Sequence, residues 1–337
     1  MERLSGGMKV LVEKLDIREF RGVRGFAKPL ELDRFTVLVG RNNVGKTAVL
    51  EALYMLTCPF MCTPAPYYKS PVDFVSELHG GSASLVYGYY GVARLGYELA
   101  WREPRHVEFE VDHRGNVRMF LDGEEKGFDV YMRLLESMGF GLERNIVALY
   151  IPDDSRAYEM LLAFAQKDEV VRWSEREGYN VRVVRELVSK VVYDVFTEVV
   201  PYRDTLSLRS EVSGKTIYVD LRSQGEGVKR LILAYYAIEY LNPKLVLWDD
   251  VEVAAHPGLV EVLLDWLARS GRQVVLSTHS VDVLRAIVDL DLENCRVVVL
   301  RKRRDDVVEW RALEVDEVEE LLDSGLDIRK LVDQLEI

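Results

Sequence analysis

Apolar residues along this chain follow three regimes in turn. Over residues 9–39 they come in short runs, 10–12, 15–20 and 35–39, separated by the turn signals Arg21-Gly22 and Arg24-Gly25, which predicts two or three strands. Residues 48–56 then carry helical spacing, and 59–71 mix Pro, Tyr and small residues as an exposed loop does. The next regime alternates, predicting strands at 84–90, 94–101, 106–111 and 117–121. From about 128 to 200 the apolar positions step by three and four (Val130, Leu134, Leu135, Met160, Leu161, Phe164), which predicts a helical insertion whose last helix, 181–199, stops at Pro201. A hairpin is expected at 206–221 around Ser213-Gly214.

The final regime is the most regular. Helices at 227–240, 258–270 and 281–289 alternate with near-continuous apolar strands at 244–248, 273–277 and 296–300. Strands apolar on both faces and joined through helices belong to a buried parallel sheet. The expected fold is therefore α/β, with a mostly parallel core, an N-terminal antiparallel β lobe and a helical insertion. The expected organisation is one unit over 8–337: lobe I at 8–127, the insertion at 128–204, lobe II at 205–310 and an acidic helical tail at 311–337.

Composition narrows the classes. The 337 residues are 48% hydrophobic and 30% charged, a globular balance, and no apolar run approaches the roughly 20 residues of a membrane span. The N-terminus lacks the apolar stretch of a secretion signal, and Met8 offers a second start. A net charge of −12 argues against a surface coated in nucleic acid. Cys58, Cys62 and Cys295 form no disulfide framework; Cys58 and Cys62 are spaced like half of a metal site, but no second Cys/His pair follows nearby, so they read as buried thiols, which fits a reduced cytoplasm. Only four glutamines accompany abundant Glu, Arg and Val, a weak thermophile signal. His106 and His113 have no acidic or Cys partner at ligand spacing and read as surface residues, and the basic run 301–304 reads as a solvated turn.

The densest chemical signal lies between the strand 35–39 and the helix 48–56. Gly40-Arg41-Asn42-Asn43-Val44-Gly45-Lys46-Thr47 has the spacing and the strand–loop–helix setting of a phosphate-binding P-loop. Glycines let the backbone turn its N–H groups onto phosphate oxygens, and the helix N-terminus adds its positive end. Lys46 is placed to reach the β- and γ-phosphates and Thr47 to ligate Mg²⁺. Three later stretches are weaker alone. The strand 245–248 ends in Asp249-Asp250, where one acid can hold Mg²⁺ and the next can orient a water. Ser223-Gln224-Gly225-Glu226-Gly227 precedes a helix and forms a second candidate anion site. His279 follows the strand 273–277.

Taken in this order, these stretches resemble the ABC-type ATPase heads of the SMC, RecF and OLD (overcoming-lysogenization-defect) group, closest to the short OLD-like ATPases whose AAA-type domain stands alone. Phe20-Arg21-Gly22 is similar to the group's N-terminal signature, 40–47 to its Walker A, 223–227 to its signature motif, 249–257 to its acidic segment ending in His-Pro, and His279 to its switch histidine. The resemblance implies ATP and Mg²⁺ as cofactors. Arg21 and residues 40–48, through Ala48, would bind the nucleotide; Ser223 and Gly225 would bind the nucleotide of a second subunit. Thr47 and Asp249 would hold the metal, and Lys46, Asp250, Glu252 and His279 would serve catalysis.

Three departures stand out. Asp249-Asp250-Val251-Glu252 replaces the group's Asp-Glu-Pro-Glu, no glutamine lies between the P-loop and the insertion, and about 40 residues after Leu300 are too few for a Toprim nuclease domain. The expectation is an ATP-dependent homodimer that hydrolyses ATP in the service of a nuclease or other effector protein, in a DNA-related process. The rival is an ATP-binding clamp with negligible turnover.

Overall fold

The computed structural model describes residues 10–59, 63–100, 104–292, 294–325 and 328. Met8, Cys62, Trp101 and most of the tail beyond 325 lie outside the described residues.

The chain opens with β1 (Val12–Phe20), β2 (Val23–Phe26), β3 (Leu30–Glu31) and β4 (Phe35–Gly40), then α1 (Lys46–Tyr54) and α2 (Pro71–Leu78). An antiparallel run follows: β5 (Val92–Leu99), β6 (His106–Asp112), β7 (Val117–Leu121) and β8 (Glu124–Lys126). The insertion holds α3 (Phe128–Ser137), β9 (Ala148–Ile151), α4 (Ser155–Ala165), α5 (Asp168–Glu177), α6 (Tyr179–Glu186) and β10 (Phe196–Tyr202). Then come β11 (Thr205–Val212), β12 (Lys215–Asp220), α7 (Glu226–Leu241), β13 (Leu245–Trp248), α8 (Pro257–Arg269), β14 (Gln273–Thr278), α9 (Val281–Asp289), β15 (Cys295–Lys302), β16 (Val307–Leu313) and α10 (Val315–Asp323).

One sheet joins both lobes. Its parallel core runs β15-β4-β14-β13-β9, and its antiparallel wing runs β8-β7-β6-β5-β1-β2, with β16 bridging the two. All residues of β4, β13, β14 and β9 are buried, as helices packed on both faces require. The expected α/β class with its antiparallel lobe is what the molecule has. Gln273 fastens the wing to the core: fully enclosed at the start of β14, its Oε1 accepts from Leu11 N and Val12 N at 2.9 and 3.0 Å. Its Nε2 donates to Val12 O and Asp33 O. A buried amide with each partner satisfied fixes register as well as stability.

Several local expectations fail for identifiable reasons. The expected strand 84–90 is a pair of 3₁₀ turns, because Gly88 and Tyr89 adopt left-handed backbone angles (φ 66° and 65°). The insertion is not purely helical. The short β9 completes the parallel core beside β13. The expected helix 181–199 stops at Glu186, a 3₁₀ turn follows at Val188–Lys190, and the β-branched Thr197, Val199 and Val200 enter β10. The strand β16 was not anticipated at all. Cys58 is disulfide-bonded rather than a thiol, and Cys295 alone is a free cysteine among the described residues. No helix among the described residues is long and apolar enough to cross a membrane.

Candidate functional site

Three adjacent parallel strands, β4, β14 and β13, deliver their C-terminal ends to one place. Such strand ends are where open α/β sheets hold ligands. From β4 the chain enters the loop 41–45 under tight constraint. A Cβ at Gly40 would stand 2.8 Å from Leu300 O and 2.9 Å from Val44 Cγ1, and one at Gly45 (φ 113°) would stand 2.9 Å from Val23 Cγ2. Val44 is buried as a plug while Arg41, Asn42 and Asn43 stay exposed, and α1 begins at Lys46 with its first N–H groups facing the loop.

Lys46 folds back across this loop. Its Nζ donates to Gly40 O (3.2 Å) and Arg41 O (3.4 Å) and lies 2.9 Å from His279 Nε2. Burial lowers the pKa of this ammonium, against the opposing charges of Asp250, Asp249 and Glu252. Next to it, Thr47 Oγ1 donates to Asp249 Oδ2 at 2.9 Å. Asp249 is buried at the end of β13, and its other oxygen accepts from the Ser277 hydroxyl. Burial, reinforced by the charge of Asp250, pushes the Asp249 carboxyl up to about 6, with the Ser277 and Thr47 bonds acting the other way.

The two following acids occupy different places. Asp250 takes a left-handed backbone (φ 43°), donates its N–H to Ser277 Oγ at 2.7 Å, and lines the cleft with Oδ1 3.7 Å from His279 Nε2. Glu252 does not line the cleft. Its Oε1 accepts from His279 N at 2.6 Å, and its Oε2 is buried with no partner among the described residues. Glu252 therefore holds the backbone under the histidine, and Asp250 is the acid exposed to a ligand.

The cleft measures about 560 Å³ and is lined by the loop from Asn42, by Thr47, Asp250 and His279, and by Arg21, His79 and Lys302. Arg21, with φ 55° after β1, is anchored by Nε to Glu51 Oε2 at 2.8 Å and by NH1 to Ser84 O at 3.2 Å. Lys302, the last residue of β15, crosses to Gly22 O at 2.6 Å and lines the cleft, so this member of the basic run 301–304 is more than part of a solvated turn. Ser223 and Gly225 are elsewhere. Both are exposed at the start of α7, neither lines the cleft, and a Cβ on Gly225 would meet open space.

The motifs left three participants unannounced. Ser277 becomes the hub of both acids because the register Trp248↔Leu276 sets Asp249 beside it. Glu51 is fully buried inside the P-loop helix, and His79 lines the cleft just past α2. A carboxylate placed in the apolar run of α1 was the available signal for the first. Gly227, quoted with the signature stretch, has a packing role: its Cβ would stand 2.5 Å from Ala254 O, where α7 crosses the loop after Asp250.

The donors fit a hard cation. A hydroxyl and a carboxylate meet at 2.9 Å, and the carboxylate is one that burial leaves short of its preferred charge state. Mg²⁺ is commonly held in this way, by few protein oxygens plus phosphate and water. No group of three or more His, Cys, Asp or Glu able to hold a metal by itself occurs among the described residues.

Comparison with solved structures places the fold. The chain is similar to the structure described as "SmcHead bound to the C-winged helix domain of ScpA", with a TM-score of 0.65 and 12% identity over 91% of this chain and 99% of that one. It is also similar to an Smc head domain with an extended coiled coil from Pyrococcus furiosus (TM-score 0.61, 12% identity, 94% and 99% covered). The SMC head domain of Thermotoga maritima follows (TM-score 0.54, 16% identity, 91% and 100% covered). At these identities the likeness is one of fold, and no curated protein matches the sequence. A protein family does match, over residues 68–285, which span the signature stretch, both acids after β13 and His279. By that match the chain belongs to the family described as "AAA domain, putative AbiEii toxin, Type IV TA system".

Proposed function

We propose that this protein binds MgATP in the cleft and hydrolyses it, and that two copies close around two nucleotides to do so. The observation carrying this reading is the Thr47–Asp249 bond, which joins residues 202 apart in sequence beside Lys46. A hydroxyl from a helix N-terminus, an acid from a neighbouring strand and a buried ammonium converge beside the loop 41–45.

Each residue then has a task. The loop 41–45 and the N-terminus of α1 cradle the phosphates, and Lys46 exchanges its contacts with Gly40 O and Arg41 O for phosphate oxygens. Arg21 borders the same cleft. Thr47 and Asp249 hold Mg²⁺, which supplies charge neutralisation on the phosphates. Asp250 holds the attacking water and takes its proton; it stands in the cleft and Glu252 does not. His279, steadied through its backbone by Glu252, faces the γ-phosphate end with Lys46. Ser223 and Gly225 reach the cleft of a second copy, which accounts for their exposure and their distance from their own P-loop.

A second reading, an ATP-dependent clamp with very slow turnover, is favoured by the shorter reach of Asp250 and the engagement of Glu252 by His279 N. Phosphate release from ATP, measured beside equilibrium ATP binding, separates the two. Binding with turnover lost in Lys46→Ala supports the enzyme, and binding without turnover supports the clamp. Domains of ScpA are bound by the Smc heads of two similar structures; a partner protein for this chain, a nuclease or other effector, is proposed by analogy of fold alone.

A further inference from the structure

Glu51 is an expensive residue in an odd place. It sits on the second turn of α1, fully enclosed, in a helix whose neighbours Leu50, Ala52 and Leu53 are core. A buried carboxylate is tolerated only when paired. Here it is paired twice: Oε2 accepts from Arg21 Nε, and Oε1 meets His79 Nε2 in a very short contact. One cation would satisfy the charge. The second partner is an imidazole whose side chain remains 26% exposed on the cleft wall.

The chain takes care in aiming that ring. Ser70 caps α2 by accepting from Asp73 N at 3.1 Å, Pro71 starts the helix, and His79 is the first residue beyond its end. Gly80 and Gly81, with φ of 85° and 125° in open space, then turn the chain away at once. With Nε2 directed at the carboxylate, Nδ1 is the nitrogen left for the cleft, and it makes no hydrogen bond seen among the described residues. A carboxylate that fixes one imidazole nitrogen and so orients the other is the arrangement by which proteins tune metal shells. Glu51 follows Thr47 by one turn on the same face of α1, so the pair lies near the Thr47–Asp249 bond, and its charge helps raise the Asp249 carboxyl.

We propose that His79, oriented by Glu51, is a positioning residue for the Mg²⁺–nucleotide complex, its Nδ1 holding a water of that complex. This inference rests on the MgATP reading of the cleft. It assigns a task at the metal end of the cleft to a residue from the segment between the P-loop and the insertion, where the sequence offers no glutamine.

The test is a titration of the full chain with a fluorescent ATP analogue, once in Mg²⁺ and once in EDTA, alongside melting temperature. His79→Phe keeps the ring volume. It should retain the melting temperature and the affinity in EDTA, and lose about 10-fold or more of the affinity gained from Mg²⁺. His79→Gln should recover part of that gain. An unchanged Mg²⁺ gain in His79→Phe overturns the inference, as does an equal loss in both media together with a lower melting temperature, which marks a purely structural pin. Should His79→Phe fail to fold, Glu51→Gln in the same assay should lose the Mg²⁺ gain, and its retention overturns the inference. Wild-type protein that binds the analogue in neither medium rejects the MgATP reading and this inference with it. A wild-type Mg²⁺ gain matched by His79→Phe rejects the inference alone.

Discussion

The P-loop cleft and the signature segment differ in how much of their surroundings one chain supplies. At the cleft, Lys46, Thr47, Asp249, Ser277 and His279 are bonded to one another across three strands, and substituting Gly40 or Gly45 would force contacts under 3.0 Å. At the signature, Ser223 and Gly225 are exposed and touch nothing that explains them, although two residues on Gly227 is packed tightly against Ala254 O. A region that is internally complete can be argued from its own geometry. A region built for exposure leaves room for a surface that arrives from outside, and the proposed isologous dimer would supply it.

Breaking the cleft should have the largest effect. Lys46→Ala removes the ammonium aimed at phosphate while leaving the core of α1 intact, and it is expected to abolish phosphate release without lowering the melting temperature. Retained turnover would remove the P-loop assignment. Next in size, Asp250→Asn should keep ATP binding and reduce hydrolysis by about 10²-fold or more, as loss of a general base does. Glu252→Gln should be milder, since an amide oxygen can still accept from His279 N. The reverse ranking would exchange the two roles.

A stability measurement sharpens the same contrast. The folded pKa of Asp249, about 6, lies above its ordinary value near 3.8. Its protonated form is therefore the one that folding favours, a contribution intact below pH 3.8 and lost as pH rises through 6. Asp249→Asn should stabilise the metal-free protein at pH 8 by up to about 3 kcal/mol, from two pKa units at 1.36 each, and should bring little gain at pH 4. Equal effects at both values would contradict the burial argument. Smaller again, Gly227→Ala should cost about 1–3 kcal/mol by overpacking. Gly225→Ala, in open space, should leave the melting temperature unchanged while lowering turnover.

The cleft was legible in the sequence to the extent that its parts are local. A P-loop, an apolar strand ending in acids and a Ser-Thr-His-Ser strand end are each contiguous, and the parallel core that aligns them announces itself through runs buried on both faces. What stayed hidden depends on contacts between distant segments. Glu51, Arg21 and His79 are separated by about 30 residues and share no motif, and Ser277 acquires its task only from the register of β13 and β14. Short elements were hidden too: β9 is four residues long between helices, and 84–90 alternates like a strand until Gly88 and Tyr89 turn the backbone.

The central claim is that one working site joins Lys46 of one copy to Ser223 of another, and mixing two dead variants tests it most directly. Lys46→Ala and Ser223→Arg should each be inactive alone. In their heterodimer one site carries both defects and the other carries none, so random pairing with independent sites restores about a quarter of wild-type phosphate release. A Ser223→Arg protein that hydrolyses ATP normally by itself, or a mixture that stays inactive after subunit exchange has been demonstrated, would contradict independent composite sites.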